Sequence, residues 1–425
     1  MAVHEQGFPW KPSFWATESV MPENPLDERD LRTDVVIVGG GYAGMSCAYY
    51  IKKAKPELSV ALLESEYIGF GPSGRNFGGV APGVRELRAG IIDLPDREEE
   101  RFSVSWFLKC RDELERRIAE GGIECEYRNE PILMQALDEA AWEALQRESE
   151  ILKDRGTPHE LLDQQAINAA MALPYRPLGG IVRTSWRATQ PFKLARGLGR
   201  QLREMGVAVH EGTRVTEIND DGTTVIVKTS GGGSVTAGKA VLATNAYTCH
   251  LPQFADVIFP RHTYVIATEV LEPAIFASLG FNEYKFVEDS GFIFYYSRIY
   301  QGRLLFGGGE PTTGFFTPST VDEAADNAQA EYARLYEEMV SRWPQLQGVK
   351  VETAWSGPID ITENFAPIIR QHDAMKNLTL CVGYNGEGLT SGCMTGLMAL
   401  GPVLGSEFAD PDAERVRQYL QRPVD

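Results

Sequence analysis

The chain lacks any apolar run approaching the ~20 residues that a membrane-spanning helix needs, so no span is expected. Its first residues, interrupted by His4, Glu5, Trp10 and Lys11, lack the apolar core of a signal peptide, and the expected compartment is the cytoplasm. Cysteine is sparse: Cys47, Cys110, Cys125, Cys249, Cys381 and Cys393 are scattered without Cys-x-x-Cys spacing. Disulfide frameworks belong to short secreted chains, so free thiols are expected. The six histidines are equally dispersed, with no His-x-x-x-His and none beside a cysteine, and no metal site is expected. Positive charge is also in short supply. The net charge of −18 argues against a nucleic-acid partner, because such a surface needs a basic patch to neutralise phosphates. There is no internal repeat and no low-complexity tract.

What the chain does have, early on, is Asp34-Val-Val-Ile-Val-Gly-Gly-Gly-Tyr-Ala-Gly-Met-Ser46. A β-branched run, Val35 to Val38, enters a glycine cluster and then a helical pattern from Ala43 to Ala54. Gly39, Gly41 and Gly44 take the spacing Gly-x-Gly-x-x-Gly, which permits a sharp turn, close approach to a pyrophosphate and tight helix packing, with Tyr42 and Ala43 inside the turn. The phosphate would sit at the positive end of the helix. A second β run, Ser59 to Leu63, ends at Glu64, followed by Ser65. An acid at that position commonly holds the adenosine ribose hydroxyls.

Residues 1 to 30, with Phe8, Trp10, Phe14 and Trp15 among prolines, read as an extended arm pinned by its aromatics, or as a cover for a ligand entrance or a subunit contact. The glycine-rich stretch Gly69-Phe-Gly-Pro-Ser-Gly-Arg-Asn-Phe-Gly-Gly79 reads as a loop suited to ligand contacts through Arg75 and Asn76. A helix over 96–118, a strand over 131–137 and a helix over 139–155 read as a layer separate from the nucleotide domain. A helix over 191–205 precedes strands at 206–210 and 213–218 and a hairpin of 223–229 with 234–237. The stretch Ala240-Val-Leu-Ala-Thr-Asn-Ala246 reads as a buried strand whose polar end faces a cofactor crevice. Strands are expected at 263–270, 291–297 and 302–307, then helices over 321–343 and 391–404.

In this order the pieces resemble the FAD-dependent D-amino-acid oxidase superfamily, in its branch of glycine, sarcosine and γ-glutamylputrescine oxidases. The resemblance covers about residues 12 to 410. It rests on the fingerprint at 39–44, Ser73-Gly-Arg-Asn76, Ala243-Thr-Asn-Ala-Tyr247, Tyr264 with Ala267-Thr-Glu269, Leu304-Leu-Phe-Gly-Gly308, Thr362 to Ile368, and Gly383-Tyr-Asn-Gly-Glu-Gly388. It implies an α/β fold with a discontinuous Rossmann-like FAD domain (31–95, 190–250 and 350–415) and an α+β substrate domain with a mixed or antiparallel sheet (96–189 and 251–349), after an arm of residues 1–30. FAD contacts are implied at Gly39, Gly41, Tyr42, Ala43, Gly44, Glu64, Ser65, Ser73, Gly74, Arg75, Asn76, Val215, Thr244, Asn245, Gly383, Asn385, Gly386, Glu387, Gly388, Leu389 and Thr390. The turn from Gly383 to Thr390 leads into a helix start, where backbone N–H groups would stabilise negative charge on the flavin.

The implied chemistry is oxidation of a C–N bond, with hydride passing to flavin N5 and the imine then hydrolysed, and electrons going on to O2 or another acceptor. Candidate substrate-pocket residues are Arg261, His262, Tyr264, Tyr296 and Trp355, whose aromatic walls suit a small-molecule amine. Four positions depart from the relatives. Leu305 stands where a lysine promotes reaction with oxygen, Trp355 where a cysteine attaches flavin, Thr390 where a lysine clamps a substrate carboxylate, and Glu387 where a histidine is common. Non-covalent FAD and a larger amine are therefore expected. Alternatives are a flavoprotein assembly subunit without turnover, or a flavin enzyme modifying an RNA base.

Overall fold

The computed structural model describes residues 7–16, 19–81, 97–291, 294–309, 321 and 328–421. From the N-terminus, β1 (Asp30–Val38), α1 (Tyr42–Ala54) and β2 (Val60–Leu63) form the strand–turn–helix–strand unit expected from the fingerprint. Then come β3 (Gly79–Val80), α2 (Arg97–Glu120), β4 (Arg128–Asn129), β5 (Ile132–Ala136), α3 (Glu139–Asp154), β6 (Glu160–Asp163), β7 (Gly179–Arg183), β8 (Arg187–Ala188) and α4 (Pro191–Glu204). The middle of the chain supplies β9 (Ala208–His210), β10 (Val215–Asp220), β11 (Val225–Thr229), β12 (Ser234–Leu242), β13 (Phe259–Thr268), β14 (Phe286–Asp289), β15 (Tyr295–Tyr300) and β16 (Arg303–Gly308). It continues with α5 (Ala328–Arg342), β17 (Val351–Ile361), β18 (Ile368–Gln371), β19 (Leu378–Val382) and α6 (Gly388–Leu404), and closes with α7 (Pro411–Leu420).

Two eight-stranded sheets carry the architecture. The first runs β10-β11-β12-β1-β2-β9, with β19 also on β12 and β18 on β19. Its centre, β19-β12-β1-β2-β9, is parallel throughout. Strands Val35–Val38 and Val60–Leu63 are buried along their whole length, as expected of a sheet covered on both faces. The second sheet, β17-β13-β16-β15-β14-β5-β7-β6, is antiparallel except for the parallel pair β5 and β14. The fold is thus α/β with a Rossmann-like parallel sheet beside a mixed sheet.

Three expectations change. The second arm of the hairpin and the buried strand beyond it are one strand, β12, which pairs with β1 between Asp30 and Val38 in one constant register. It ends at Leu242, and Asn245–His250 is a 3-10 turn. Helix α2 is not in a separate layer: Trp106, Phe107 and Leu114 share one apolar core with Met45, Tyr49, Leu198 and Met394. The expected third cofactor segment, 350–415, opens on β17, which is hydrogen-bonded to β13 in the second sheet. Asp96, where a helix was expected to begin, lies outside the described residues, as do residues 292–293 of the strand expected over 291–297 and residues 322–327 of the helix expected over 321–343.

Candidate active site

The glycine turn follows from steric arithmetic. At Gly39, with φ +110°, an added Cβ would lie 2.3 Å from the Ala243 carbonyl oxygen, so β12 passes at a distance only glycine permits. At Gly44 a Cβ would lie 2.0 Å from the Gly39 oxygen, so α1 sits directly against the turn. Gly41 begins the helix without a side-chain cap of its own, and the Tyr42 N–H donates to Ser73 Oγ at 3.0 Å. No acid occupies the first turn of α1, while Lys52 and Lys53 sit in its last, so the charges complement the helix dipole at one end and leave the positive end for an anion. Glu64 closes β2 beside this turn. Its carboxylate accepts from Gly40 N at 2.9 Å, Glu66 N at 3.1 Å and Ser65 Oγ at 3.4 Å, and burial pushes its pKa up.

Opposite the turn, the closing motif departs from ordinary backbone. Gly383 and Gly386 have φ of +84° and +86°, and Asn385 and Asn245 have φ of +53° and +48°. Non-glycine residues at positive φ are uncommon, asparagine being among the most tolerant, and they gather at sites where neighbours hold them there. Here the holder is Asp360, on β17 and fully buried. Its carboxylate accepts from Gly383 N (2.5 Å), Tyr384 N (3.0 Å) and Asn245 Nδ2 (2.8 Å), and its carbonyl accepts from Asn385 N (3.0 Å). Burial raises its pKa to about 7, although the backbone donors work in the other direction. Asp360 was not singled out from sequence. Its one signal was a carboxylate inside a short, otherwise apolar stretch, Pro358-Ile-Asp-Ile361.

Between these two loops and the second sheet lies a cleft of about 300 Å³, at the small end of the range for ligand pockets. From the cofactor side Gly41, Tyr42, Ala43, Ser73, Arg75, Asn76, Asn245, Asn385, Gly386, Glu387, Gly388, Leu389 and Thr390 line it. From the second sheet come Arg261, His262, Tyr264 and Tyr296. Arg261 is only 2% exposed, and its burial lowers the guanidinium pKa. Burial lifts Tyr264 to about 12 and raises Tyr296 as well, so both phenols stay protonated at neutral pH. Phe77 packs on Tyr296 (4.5 Å between ring centroids) and Phe286 (5.2 Å), which in turn meets Trp186 (6.1 Å), making a continuous aromatic wall. The sequence reading missed Phe77, Trp186, Phe286, Glu288 and Arg334 as lining residues. Arg334, on α5, is ion-paired to Glu331 at 2.9 Å and donates to the Tyr295 hydroxyl at 2.7 Å.

Other expected site residues stand behind the cleft. Gly39, Gly44, Gly74, Thr244 and Gly383 shape the turns, while Glu64, Ser65 and Val215 lie outside the lining. Val215 begins β10 and packs against the core of the first sheet. Trp355, expected as a pocket wall, is wholly buried instead. The register pairs it with Val265, its ring stacks on Phe14 at 5.5 Å, and its Nε1 donates to the Arg75 carbonyl at 2.9 Å. Leu305 is buried in the same cluster and does not line the cleft.

The lining fits a dinucleotide. Asn245 Oδ1 and Thr390 Oγ1 are buried in the cleft wall with no hydrogen-bond partner among the described residues, a costly state for a polar atom unless a ligand satisfies it. No cluster of His, Cys, Asp and Glu that could hold a metal occurs among the described residues. Nor is any helix there long and apolar enough to cross a membrane. A parallel sheet with a glycine turn, opening on a second sheet across a lined cleft, defines a dinucleotide-binding protein with a second, ligand-facing lobe.

The chain belongs to the DAO family of FAD dependent oxidoreductases, which it matches over residues 34–400. FAD is therefore its cofactor. It is 30% identical over 406 residues to the gamma-glutamylputrescine oxidoreductase of Escherichia coli, covering 95% of this chain and 89% of that protein. It is 29% identical over 398 residues to the probable oxidoreductase OrdL of Rhizobium meliloti, covering 90% and 86%. Glycine oxidase from Geobacillus kaustophilus has the same fold, with a TM-score of 0.71 at 20% identity over 89% of this chain and 96% of that one.

Proposed function

We propose that this chain oxidises the C–N bond of an amine or N-substituted amino acid and passes the electrons to O2 or another acceptor. The observation that carries the reading is the meeting, around one cleft, of the loop at Ser73–Asn76 and the turn at Gly386–Thr390 with Arg261, His262, Tyr264 and Tyr296. The Escherichia coli relative, by its name an oxidoreductase of γ-glutamylputrescine, supports an amine as substrate.

Bound FAD supplies the two-electron acceptor. The chain's own residues bind, orient and exclude water. The wall of Phe77, Tyr296, Phe286 and Trp186 shields the reacting carbon from water, and an unprotonated amine is the form that can lose hydride. The protonated hydroxyls of Tyr264 and Tyr296 can donate to a carbonyl or carboxylate, or accept from an N–H. Arg261 and Arg334 set two cations, and Glu288 and Glu387 two carboxylates, around the same space, which suits a substrate bearing groups of both signs. The N-terminal end of α6, at Gly388 to Thr390, has backbone N–H groups that would stabilise negative charge on bound FAD. We assign the cofactor residues and the pocket residues above to these roles, with Trp355 acting through Arg75 rather than on substrate. The segments 31–81, 190–250 and 362–415 form the cofactor domain in this reading, and β17 joins the substrate domain. FAD is held without a covalent bond in this reading.

Anaerobic mixing with primary, secondary and N-methyl amines, followed by air, tests the proposal. Bleaching of the flavin absorbance by an amine is the expected result, and re-oxidation in air reports on O2. A flavin that no amine in a broad panel reduces would overturn it.

A further inference from the structure

The loop that brings Ser73, Arg75 and Asn76 to the cleft contains five glycines between Gly69 and Gly79. Such a segment samples many conformations, and ordering it costs entropy. Yet five consecutive carbonyl oxygens in it are each engaged by a donor from elsewhere. Ser13 Oγ donates to Gly74 O (2.9 Å), Trp355 Nε1 to Arg75 O (2.9 Å), and Trp15 Nε1 to Asn76 O (2.8 Å). Arg298 Nη1 donates to Phe77 O (2.6 Å), and Thr189 N to Gly78 O (2.9 Å).

Two of those donors come from the N-terminal segment, which is itself firmly held. Pro9 O accepts from Ala354 N at 2.9 Å and Lys11 N donates to Ala354 O at 3.0 Å, so the segment adds to the edge strand β17 of the second sheet. Phe14 stacks on Trp355, and Trp15, 2% exposed, meets Tyr300 edge-on at 4.8 Å and lies 5.5 Å from the Arg298 guanidinium carbon. Trp15 N donates back to Ser13 Oγ at 3.1 Å, and Gln190 Nε2 donates to Trp15 O at 2.9 Å. The segment therefore ties the second sheet to the loop that faces the cofactor.

We infer that Pro9–Trp15 is a strap that holds the 69–79 loop in its cofactor-binding conformation, with Ser13 and Trp15 as positioning residues. Preordering the loop lowers the entropic cost of binding, so the strap acts on FAD affinity without touching the cofactor. The inference rests on FAD occupying the cleft as proposed above.

The test uses full-length protein stripped of FAD and reloaded in a titration that follows flavin fluorescence, alongside amide exchange of residues 74–76. Trp15→Phe keeps an aromatic ring at the position and removes the Nε1 donor together with the pyrrole half of the indole; it should weaken FAD binding about tenfold and speed exchange in the loop. Ser13→Ala should do the same to a smaller degree, and Ser13→Thr, which keeps a hydroxyl, should restore the wild-type value. A merely structural role lowers the melting temperature but leaves Kd unmoved while the folded form dominates, and that result would overturn the strap. So would unchanged Kd and exchange in both Trp15→Phe and Ser13→Ala; the second variant decides if the first does not fold. If the unaltered protein binds no FAD, the cofactor assignment fails first and the strap with it.

Discussion

On the cofactor side of the cleft, backbone does most of the work: the turns at 39–44 and 383–388 offer amide groups, and their glycines set how closely anything can approach. On the opposite side the working groups are side chains, Arg261 and Tyr264 from β13, Tyr296 from β15 and Arg334 from α5. The contrast has a physical cause. A pyrophosphate and a ring edge are common to every user of FAD and can be met by peptide dipoles, which do not vary with sequence. An amine must be distinguished from other amines, and only side chains carry that information.

The contrast breaks most visibly at Gly44. Because a Cβ there would meet the Gly39 oxygen at 2.0 Å, Gly44→Ala should force the helix off its turn and weaken FAD by at least ~100-fold. Protein that purifies yellow with normal cofactor content would show that the turn is not rigid.

The converse holds on the other wall. Tyr296→Phe and Tyr264→Phe should lower kcat/KM for the best amine by ~10–100-fold while FAD affinity stays within about twofold of the unaltered protein. Steady-state kinetics beside a flavin titration check this, and a parallel loss of both would mean that the two walls are not separable.

Asp360 bridges the walls, and its titration sharpens the comparison. With the folded carboxyl at about 7 and an ordinary Asp near ~3.9, the folded chain between those values keeps a proton that the unfolded chain has released. Its contribution to stability is therefore present at the acid end and is lost as pH rises toward 7, by on the order of 2–4 kcal/mol. Melting temperatures of FAD-free protein from pH 4.5 to 8 should show that decline, and Asp360→Asn should flatten it. The phenol of Tyr384, which donates to or accepts from Thr395 Oγ1 at 2.6 Å, is raised by burial and stays neutral throughout this range.

The smallest effect belongs to Thr390. Removing its hydroxyl in Thr390→Ala should weaken FAD only a few-fold, about one neutral hydrogen bond, and Thr390→Ser should recover it. Equilibrium dialysis of FAD resolves a change of that size, and an unchanged affinity would place the hydroxyl away from the cofactor.

The cofactor half was legible in the chain because its requirements are local. Strand, glycine spacing, helix and Glu64 fall within about thirty residues, and each is dictated by neighbours in sequence. From the sequence alone came the parallel glycine-turn unit, the family and FAD itself. What only the tertiary structure decided depends on residues far apart in the chain: that Trp355 faces the core and holds Arg75, that α2 packs on the nucleotide side, that Asp360 ties Asn245 to Gly383, and that Ser13 and Trp15 reach the loop at Gly74 and Asn76. A buried aromatic and a pocket wall have the same signature along the chain, since both are apolar and both are spaced by strand alternation. Only the packing of one sheet against another settles which face each residue takes.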